Sequence, residues 1–266
     1  MLPDLTGEIA MVTGVRGRLG PVWISALIAA GATVVGLDLK VDDATGLHGV
    51  ADTDIDRLIL MEVDVTDAAS VRSAVRRCLD GVGVPSVLVN SAGLDAPPGS
   101  NGRNWHFGDI PDAVSGAVLD VNSLGVLRMC QAVGPLMAER GSGSIVNIGS
   151  LYGSVAPDPR MYDHLPGDPP FLKPPAYGMS KAAVAALTRY LAVLWGPHGV
   201  RVNTLSPGGV LGGQDQQFQD KFVVRVPMRR MATAADLTGP LLFLSSAQSR
   251  YVTGTELLVD GGFVCR

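Results

Sequence analysis

The chain has 266 residues, enough for one large α/β domain or two small ones, and its 47% apolar and 17% charged content is that of a well-buried globular protein. A net charge of −4 argues against a nucleic-acid partner and against an anionic membrane surface. The three cysteines, Cys78, Cys130 and Cys265, lack C-x-x-C spacing, so no metal site and no disulfide framework is expected, and scattered thiols fit a reducing cytoplasm. The N-terminal Met-Leu-Pro-Asp-Leu-Thr has no basic region, so no signal peptide is expected, and no apolar run reaches membrane-spanning length without a Gly or a charge.

Glu8 to Thr13 is a short apolar run that reads as a buried strand, and it enters the turn Gly14-Val-Arg-Gly-Arg-Leu-Gly20. Pro21 to Ala30 reads as a helix that Gly31 stops, and Thr33 to Asp38 is a second strand ending in an acid. Strand, glycine-rich turn, helix, strand and acid within about 30 residues is the context a dinucleotide fingerprint requires. The glycines let backbone approach a pyrophosphate, whose charge rests on amide N–H groups at the helix start. Asp38 can accept from both ribose hydroxyls of NAD and would repel the 2′-phosphate of NADP. Arg16 and Arg18 pull the other way if the loop turns one of them toward that phosphate; otherwise they are solvated or touch the pyrophosphate. Asp38 makes NAD the preferred cofactor.

Residues 39–57 are a polar surface excursion. Leu58 to Val63 is a third strand, and Asp67 or Thr66 caps a helix through Leu79. Asp64 lies just past a strand's carboxyl end, where it can contact adenine or serve as an ordinary turn residue. Val84 to Val89 is a fourth strand, ending in the small-residue turn Asn90-Ser-Ala-Gly93. The long loop from Leu94 to Pro111 carries His106, a substrate contact or a surface residue. Asp112 to Arg140 is mostly helical, and Asn122 within it is unfavourable unless its side chain or the local backbone has a task. Ser144 to Gly149 is a fifth strand with Ser150 at its end, followed by a second long loop, 151–175.

Tyr177-Gly-Met-Ser-Lys181 opens a strongly apolar helix that stops near Gly196-Pro197. Positions i and i+4 share a helix face, so a phenol and an ammonium are stacked there. A nearby Lys⁺ favours the phenolate and lowers the tyrosine pKa toward the working range of a general acid/base. Val200 to Leu205 is a sixth strand, followed by Ser206-Pro-Gly-Gly-Val210; residues 211–231 suggest a lid. Thr233-Ala-Ala-Asp236 is a capping box for a helix to Leu244, and Glu256 to Gly262 makes a last strand and turn. Alternating strands and helices with no composition break indicate one domain over 1–266, a Rossmann-like doubly wound parallel sheet of about seven strands, with substrate loops near 94–111, 151–175 and 208–232.

Together the Thr13-Gly14…Gly20 turn, Asp64-Val65, Asn90-Ser-Ala-Gly93, Asn122, Ser150, Tyr177-x-x-x-Lys181, Ser206-Pro-Gly208 and Val252-Thr-Gly…Asp260-Gly-Gly resemble the short-chain dehydrogenase/reductase family over nearly the whole chain. The resemblance implies that Tyr177 is the acid/base on the substrate oxygen, that Ser150 positions that oxygen, and that Lys181 holds the nicotinamide ribose and lowers the Tyr177 pKa. Asn122 then holds a water in a relay behind Lys181. The implied cofactor set is Gly14, Gly17 and Gly20 at the pyrophosphate, Asp38 and Asp64 at the adenosine half, Asn90 near the cofactor ribose and Pro207, Gly208 and Val210 beside the nicotinamide, together with Arg16, Arg18, Leu19, Val65, Ala92, Gly93, Tyr177 and Lys181. A homotetramer or homodimer is implied, with a small molecule as the other partner.

Three departures stand out. Arg18 occupies the place of the family's usual middle glycine. Ser150 and Tyr177 are 27 apart, about twice the family's gap, because of a loop from Ser154 to Pro174 that must lie beside the substrate or a subunit contact. Ser91 replaces a common Asn, an exchange expected to be tolerated. The charged insertion and the resemblance favour an NAD-dependent interconversion of a secondary alcohol and a ketone on a sugar, cyclitol or natural-product intermediate. The alternatives are an NADPH-dependent 3-oxoacyl thioester reductase, which Asp38 and the acidic balance oppose, and a cofactor-sensing protein without turnover, which need not keep Ser150, Tyr177, Lys181 and Asn122 together.

Overall fold

The computed structural model describes residues 3–41, 56–95 and 104–265. Most of the excursion after the second strand, and the middle of the loop that follows Leu94, lie outside the described residues. Seven parallel strands form one sheet: β1 (Ile9–Thr13), β2 (Thr33–Asp38), β3 (Leu58–Glu62), β4 (Val87–Asn90), β5 (Gly143–Ile148), β6 (Val200–Pro207) and β7 (Glu256–Val259), in the order β3-β2-β1-β4-β5-β6-β7. A parallel sheet is covered on both faces, so its central strands are near-continuous apolar runs. β1 and β4 are that, buried along almost their whole length. The order reverses between β1 and β4, which leaves a crevice at the carboxyl ends of those strands.

The helices are α1 (Gly20–Ala29), α2 (Ala68–Gly81), α3 (Asp112–Leu119), α4 (Val126–Arg140), α5 (Pro175–Trp195), α6 (Gln216–Arg225) and α7 (Ala235–Ser245). One core lies on the face covered by α2, α4 and α5, around Met11, Leu88, Met129, Met137 and Val184. The other lies under α1 and α7, around Val12, Trp23, Leu27, Leu237 and Leu241. A third, separate core joins Met161, Tyr162 and Phe171 of the insertion to Phe222 of α6, with Phe218 and Phe263 packed against it.

Local chemistry accounts for most boundaries. Asp67 caps α2 by accepting from Ala69 N at 2.8 Å, and Asp236 reaches back to accept from Thr233 N at 2.7 Å, closing the expected capping box. β4 begins at Val87 rather than Val84, since Pro85 has no N–H for a ladder. β7 ends at Val259 because Gly261 and Gly262 turn away with φ of 64° and 87°. The stretch Asp112–Arg140, 29 residues, is long and apolar enough to cross a membrane, although Gly116, Asp120, Gly125 and Arg128 interrupt it as expected from the sequence. It serves as a core element instead, with Met129, Cys130, Val133 and Met137 buried against the sheet. Between α3 and α4 it winds as a π turn, Asp120–Gly125. That wide turn gives Asn122 its task. Fully buried, it accepts from Leu94 N at 2.7 Å and donates to Leu94 O at 3.0 Å and to Ser180 Oγ at 3.1 Å, pinning the loop after β4 to α5.

Candidate active site

A cavity of about 1210 Å³ opens at the carboxyl ends of the strands. Pockets for one small ligand are roughly 300–1,000 Å³, so this one has room for a dinucleotide and a substrate. Gly14 forms its floor with φ +74, and a Cβ there would stand 2.6 Å from Ala92 Cα. That is a cradle only backbone can form. Asp38, at the end of β2, accepts from Arg16 N and from Leu39 N, each at 2.8 Å. Its carboxylate is thereby fixed in the cavity wall beside the glycine turn. Asp64 accepts from Thr66 N at 2.8 Å and Thr66 Oγ1 at 2.6 Å, and those bonds hold its pKa below the ordinary value. Arg16, Gly17, Leu19, Val65, Ala92, Gly93, Pro207, Gly208 and Val210 also line the cavity. The backbone cradle, the fixed acid and the opening size fit a nicotinamide dinucleotide.

Two expected site residues, Gly20 and Asn90, are placed differently. Gly20 does not line the cavity; a Cβ on it would meet Val15 O at 2.1 Å, so its role is to let α1 start hard against the turn. Asn90 is 2% exposed and points inward, donating to Asn147 Oδ1 at 2.8 Å in a polar chain that continues through Thr188 to Thr204. Parallel pairing sets Asn90 beside Asn147 across β4 and β5, which favours that interior bond over the cavity. Arg18 lines the cavity and reaches across to donate to Val210 O at 2.9 Å, joining the glycine turn to the loop after β6. Asn122 lies off the cavity, held by Leu94 and Ser180, and borders the same space behind Gly93 as Lys181: a Cβ on Gly93 would stand 3.4 Å from Asn122 Oδ1 and 3.7 Å from Lys181 Nζ. Ser91 is tolerated where an Asn is common, since its hydroxyl accepts from Trp23 Nε1 at 2.8 Å.

At the other end, Tyr177 occupies the first turn of α5 and Lys181 the next, both on the cavity wall. Pro175 starts that helix with a preset φ and no N–H to satisfy. Ser150 follows β5, accepts from Tyr152 N at 3.2 Å, and shares a hydrogen bond with the Tyr177 hydroxyl. Ser150, Tyr177 and Lys181 therefore converge as the sequence suggests. The electrostatics differ from the expectation. Burial, reinforced by the Asp95 carboxylate, pushes the Tyr177 phenol up, with Ser150 opposing. Lys181 does not offset this in the protein alone. Its Nζ donates to Ile148 O at 2.9 Å, stands 5.9 Å from the Tyr177 ring centroid, and is itself pulled down to about 8 by burial. A second ammonium is nearer: Lys173 Nζ lies 4.6 Å from that centroid and pairs with Asp95.

The insertion does lie beside this end, contributing Tyr162, Leu165 and Lys173 to the cavity. Its charged residues mostly face α6 and its cap rather than the opening. Asp158 binds Arg160 and Arg225, Lys221 binds Asp163 and His164, and His164 pairs with Asp215 at 2.9 Å. Tyr152, Lys173, Asp95 and Phe218 are cavity residues that sequence reasoning did not single out for the site. The i,i+4 pair Phe218 and Phe222 in an otherwise polar stretch was the available signal. His106 is an exposed loop residue away from the cavity.

Comparison with known proteins agrees with this geometry. Residues 8–162 match the short chain dehydrogenase family model, and residues 167–264 match a model described as enoyl-(acyl carrier protein) reductase. The chain belongs to the short-chain dehydrogenase/reductase family. This dehydrogenase is 32% identical to D-threitol dehydrogenase of Mycolicibacterium smegmatis over 98% of its length and 95% of that protein. It is 33% identical to galactitol 2-dehydrogenase of Rhizobium johnstonii, covering 98% and 96%. A short chain dehydrogenase from Leptospira borgpetersenii with bound NAD⁺ superposes with a TM-score of 0.84 at 30% identity, covering 98% and 94%. A gluconate 5-dehydrogenase from Burkholderia cenocepacia in complex with NADP and tartrate superposes with 0.83 at 29% identity, covering 99% and 97%. The dehydrogenase is thus a nicotinamide-dependent oxidoreductase of the alcohol dehydrogenase type.

Proposed function

We propose that this dehydrogenase uses NAD⁺ to oxidise one secondary hydroxyl of a sugar alcohol or related polyol to the ketone, and runs the reverse reduction with NADH. Convergence of the Ser150 and Tyr177 hydroxyls at the cavity wall carries the chemistry. Gly14, Gly17, Ala92 and Gly93 would hold the cofactor's phosphates and ribose, and Asp38 its adenosine ribose. When bound, the nicotinamide ring supplies the hydride acceptor. In oxidation Ser150 would hold the carbinol oxygen and the Tyr177 side chain, as its phenolate, would take the carbinol proton as the C–H bond breaks; in reduction the Tyr177 phenol would give that proton back. Lys181 braces this end of α5 against β5 through Ile148 O. Support for NAD over NADP comes from the anchored Asp38 carboxylate and from the commitment of Arg18 to Val210. Support for a polyol comes from relatives named as threitol and galactitol dehydrogenases. A thioester reductase would favour NADPH, which Asp38 opposes.

The reading extends to a homotetramer or homodimer in a reducing, cytoplasmic setting. Met179, Tyr190, Val193 and Leu194 leave an apolar surface on α5 for a second copy, and a monomeric sedimentation profile would refute that part. The test of function is the absorbance of reduced cofactor with NAD⁺ and with NADP⁺ against a panel of polyols, aldonates and simple alcohols, with Tyr177→Phe alongside. We expect reduced cofactor from polyols and NAD⁺, and a loss of roughly 10²–10⁴-fold in kcat in the variant. Cofactor binding without turnover of any alcohol or ketone, and indifferent to Tyr177→Phe, would instead identify a sensing protein.

A further inference from the structure

The ion pair Lys173–Asp95 stands over the catalytic tyrosine and belongs to neither the cofactor cradle nor the Ser150–Tyr177–Lys181 group. Its halves come from separate segments: Lys173 from the end of the insertion, two residues before α5, and Asp95 from the loop after β4. The Lys173 side chain is 6% exposed and that of Asp95 is 59% exposed. Both line the cavity with Tyr152, Tyr162 and Tyr177. We propose that Lys173 and Asp95 form a clamp for the hydroxyl adjacent to the reacting carbinol, so that they select neutral vicinal polyols over simple alcohols and over aldonates. The proposal rests on the polyol reading above and names the residues that would impose it.

An ammonium only donates, a carboxylate only accepts, and a hydroxyl does both. A hydroxyl beside this pair therefore accepts from Lys173 while donating to Asp95, and each of those bonds is charge-assisted. Butan-2-ol has no second hydroxyl to place there. An aldonate carboxylate would meet Lys173 already neutralised and Asp95 repelling it. The other charged groups on the wall are engaged elsewhere or distant: Lys181 donates to Ile148 O, Asp215 caps α6 and pairs with His164, and Arg16, Arg18, Asp38 and Asp64 belong to the cofactor end. The substrate end thus presents a formally neutral, strongly polar pair. With the ammonium 4.6 Å from the Tyr177 ring centroid, a hydroxyl bound to it sits close to the carbinol whose oxygen Tyr177 addresses.

The test compares wild type, Lys173→Met and Asp95→Asn with galactitol, butane-2,3-diol, butan-2-ol and galactonate, under NAD⁺. Loss of a charge-assisted bond predicts that the kcat/KM ratio of diol to mono-alcohol falls roughly ten- to hundred-fold in Lys173→Met. Asp95→Asn should lower the same ratio and raise the relative rate on galactonate. A ratio unmoved within about twofold in both variants overturns the clamp. So does an equal fall on every substrate with a displaced pH profile, which would mean that Lys173 acts on Tyr177 instead. Should Lys173→Met fail to fold, Asp95→Asn at the solvent-facing end decides. Wild type that oxidises butan-2-ol but no diol or polyol, or that oxidises none of them, refutes the polyol reading and the clamp together; wild type that uses polyols while the ratios stay fixed refutes the clamp alone.

Discussion

Replacing Lys181 with methionine measures what the active site costs the fold. Burial pulls Lys181 from its ordinary 10.5 to about 8, with Asp95 partly opposing. As pH rises above about 8 the folded side chain sheds its proton, while the unfolded chain keeps it until about 10.5. That difference is worth about 3.5 kcal/mol in full, of which about 3 kcal/mol is reached by pH 10.5, where the unfolded side chain is half titrated. Between those two pH values the unfolded state binds more protons, so this group makes stability rise with pH through the window. Below about pH 8 both states are charged and the full penalty is present. Methionine is similar in length and does not titrate, so the lost hydrogen bond to Ile148 O contributes a nearly pH-independent offset. The gap in unfolding free energy between wild type and Lys181→Met should therefore move by about 3 kcal/mol in favour of wild type as pH goes from about 7 to about 10.5. Urea unfolding of both proteins across that range reads it directly. A gap that stays flat would refute the reasoning, because it would mean that the buried ammonium is not penalised.

Removing the Asp38 carboxylate by Asp38→Ala should shift the NAD⁺ to NADP⁺ ratio of kcat/KM toward NADP⁺ by roughly ten-fold or more, measured by initial rates with each cofactor. It also strips an acceptor from Arg16 N–H and Leu39 N–H. Asn122→Ala leaves both Leu94 backbone groups without their partner, a loss of about 2–4 kcal/mol in urea unfolding. Gly14→Ala forces a Cβ to within 2.6 Å of Ala92 Cα at a φ of +74, so cofactor affinity by fluorescence titration should fall, along with about 1–3 kcal/mol of stability.

The sheet and the meeting of Ser150, Tyr177 and Lys181 at the cavity were legible because their signals are local. Apolar runs such as Val34-Val35-Gly36-Leu37 in β2, the glycines before α1, and an acid at a strand end each act within a few residues of themselves. Even Asn122 announced itself, as a polar residue in an apolar helix, although not the π turn that houses it or the loop it pins. What escaped is set by contacts across the chain. Asn90 looks like a cavity residue until parallel pairing places it beside Asn147. Arg18 lines the cavity, but its bond to Val210 O, 192 positions away in the loop after β6, has no signal in the residues around it. The expected effect of Lys181 on Tyr177 rested on their i,i+4 spacing. Spacing fixes the shared face but not the burial that raises one group and lowers the other. The insertion read as polar because its charges are numerous, whereas its Met161, Tyr162 and Phe171 find apolar partners only once α6 lies against it.

Phe171, Phe218, Phe222 and Phe263, four of the chain's six phenylalanines, gather with Met161 and Tyr162 above the opening, apart from the two cores that sandwich the sheet. The roof over the substrate is therefore insulated from the foundations. Substitutions among its aromatic residues can reshape what the opening admits without disturbing the packing of any sheet strand. The side chains that shape the opening and those that hold the sheet belong to separate clusters, so a search for altered specificity has a bounded place to begin.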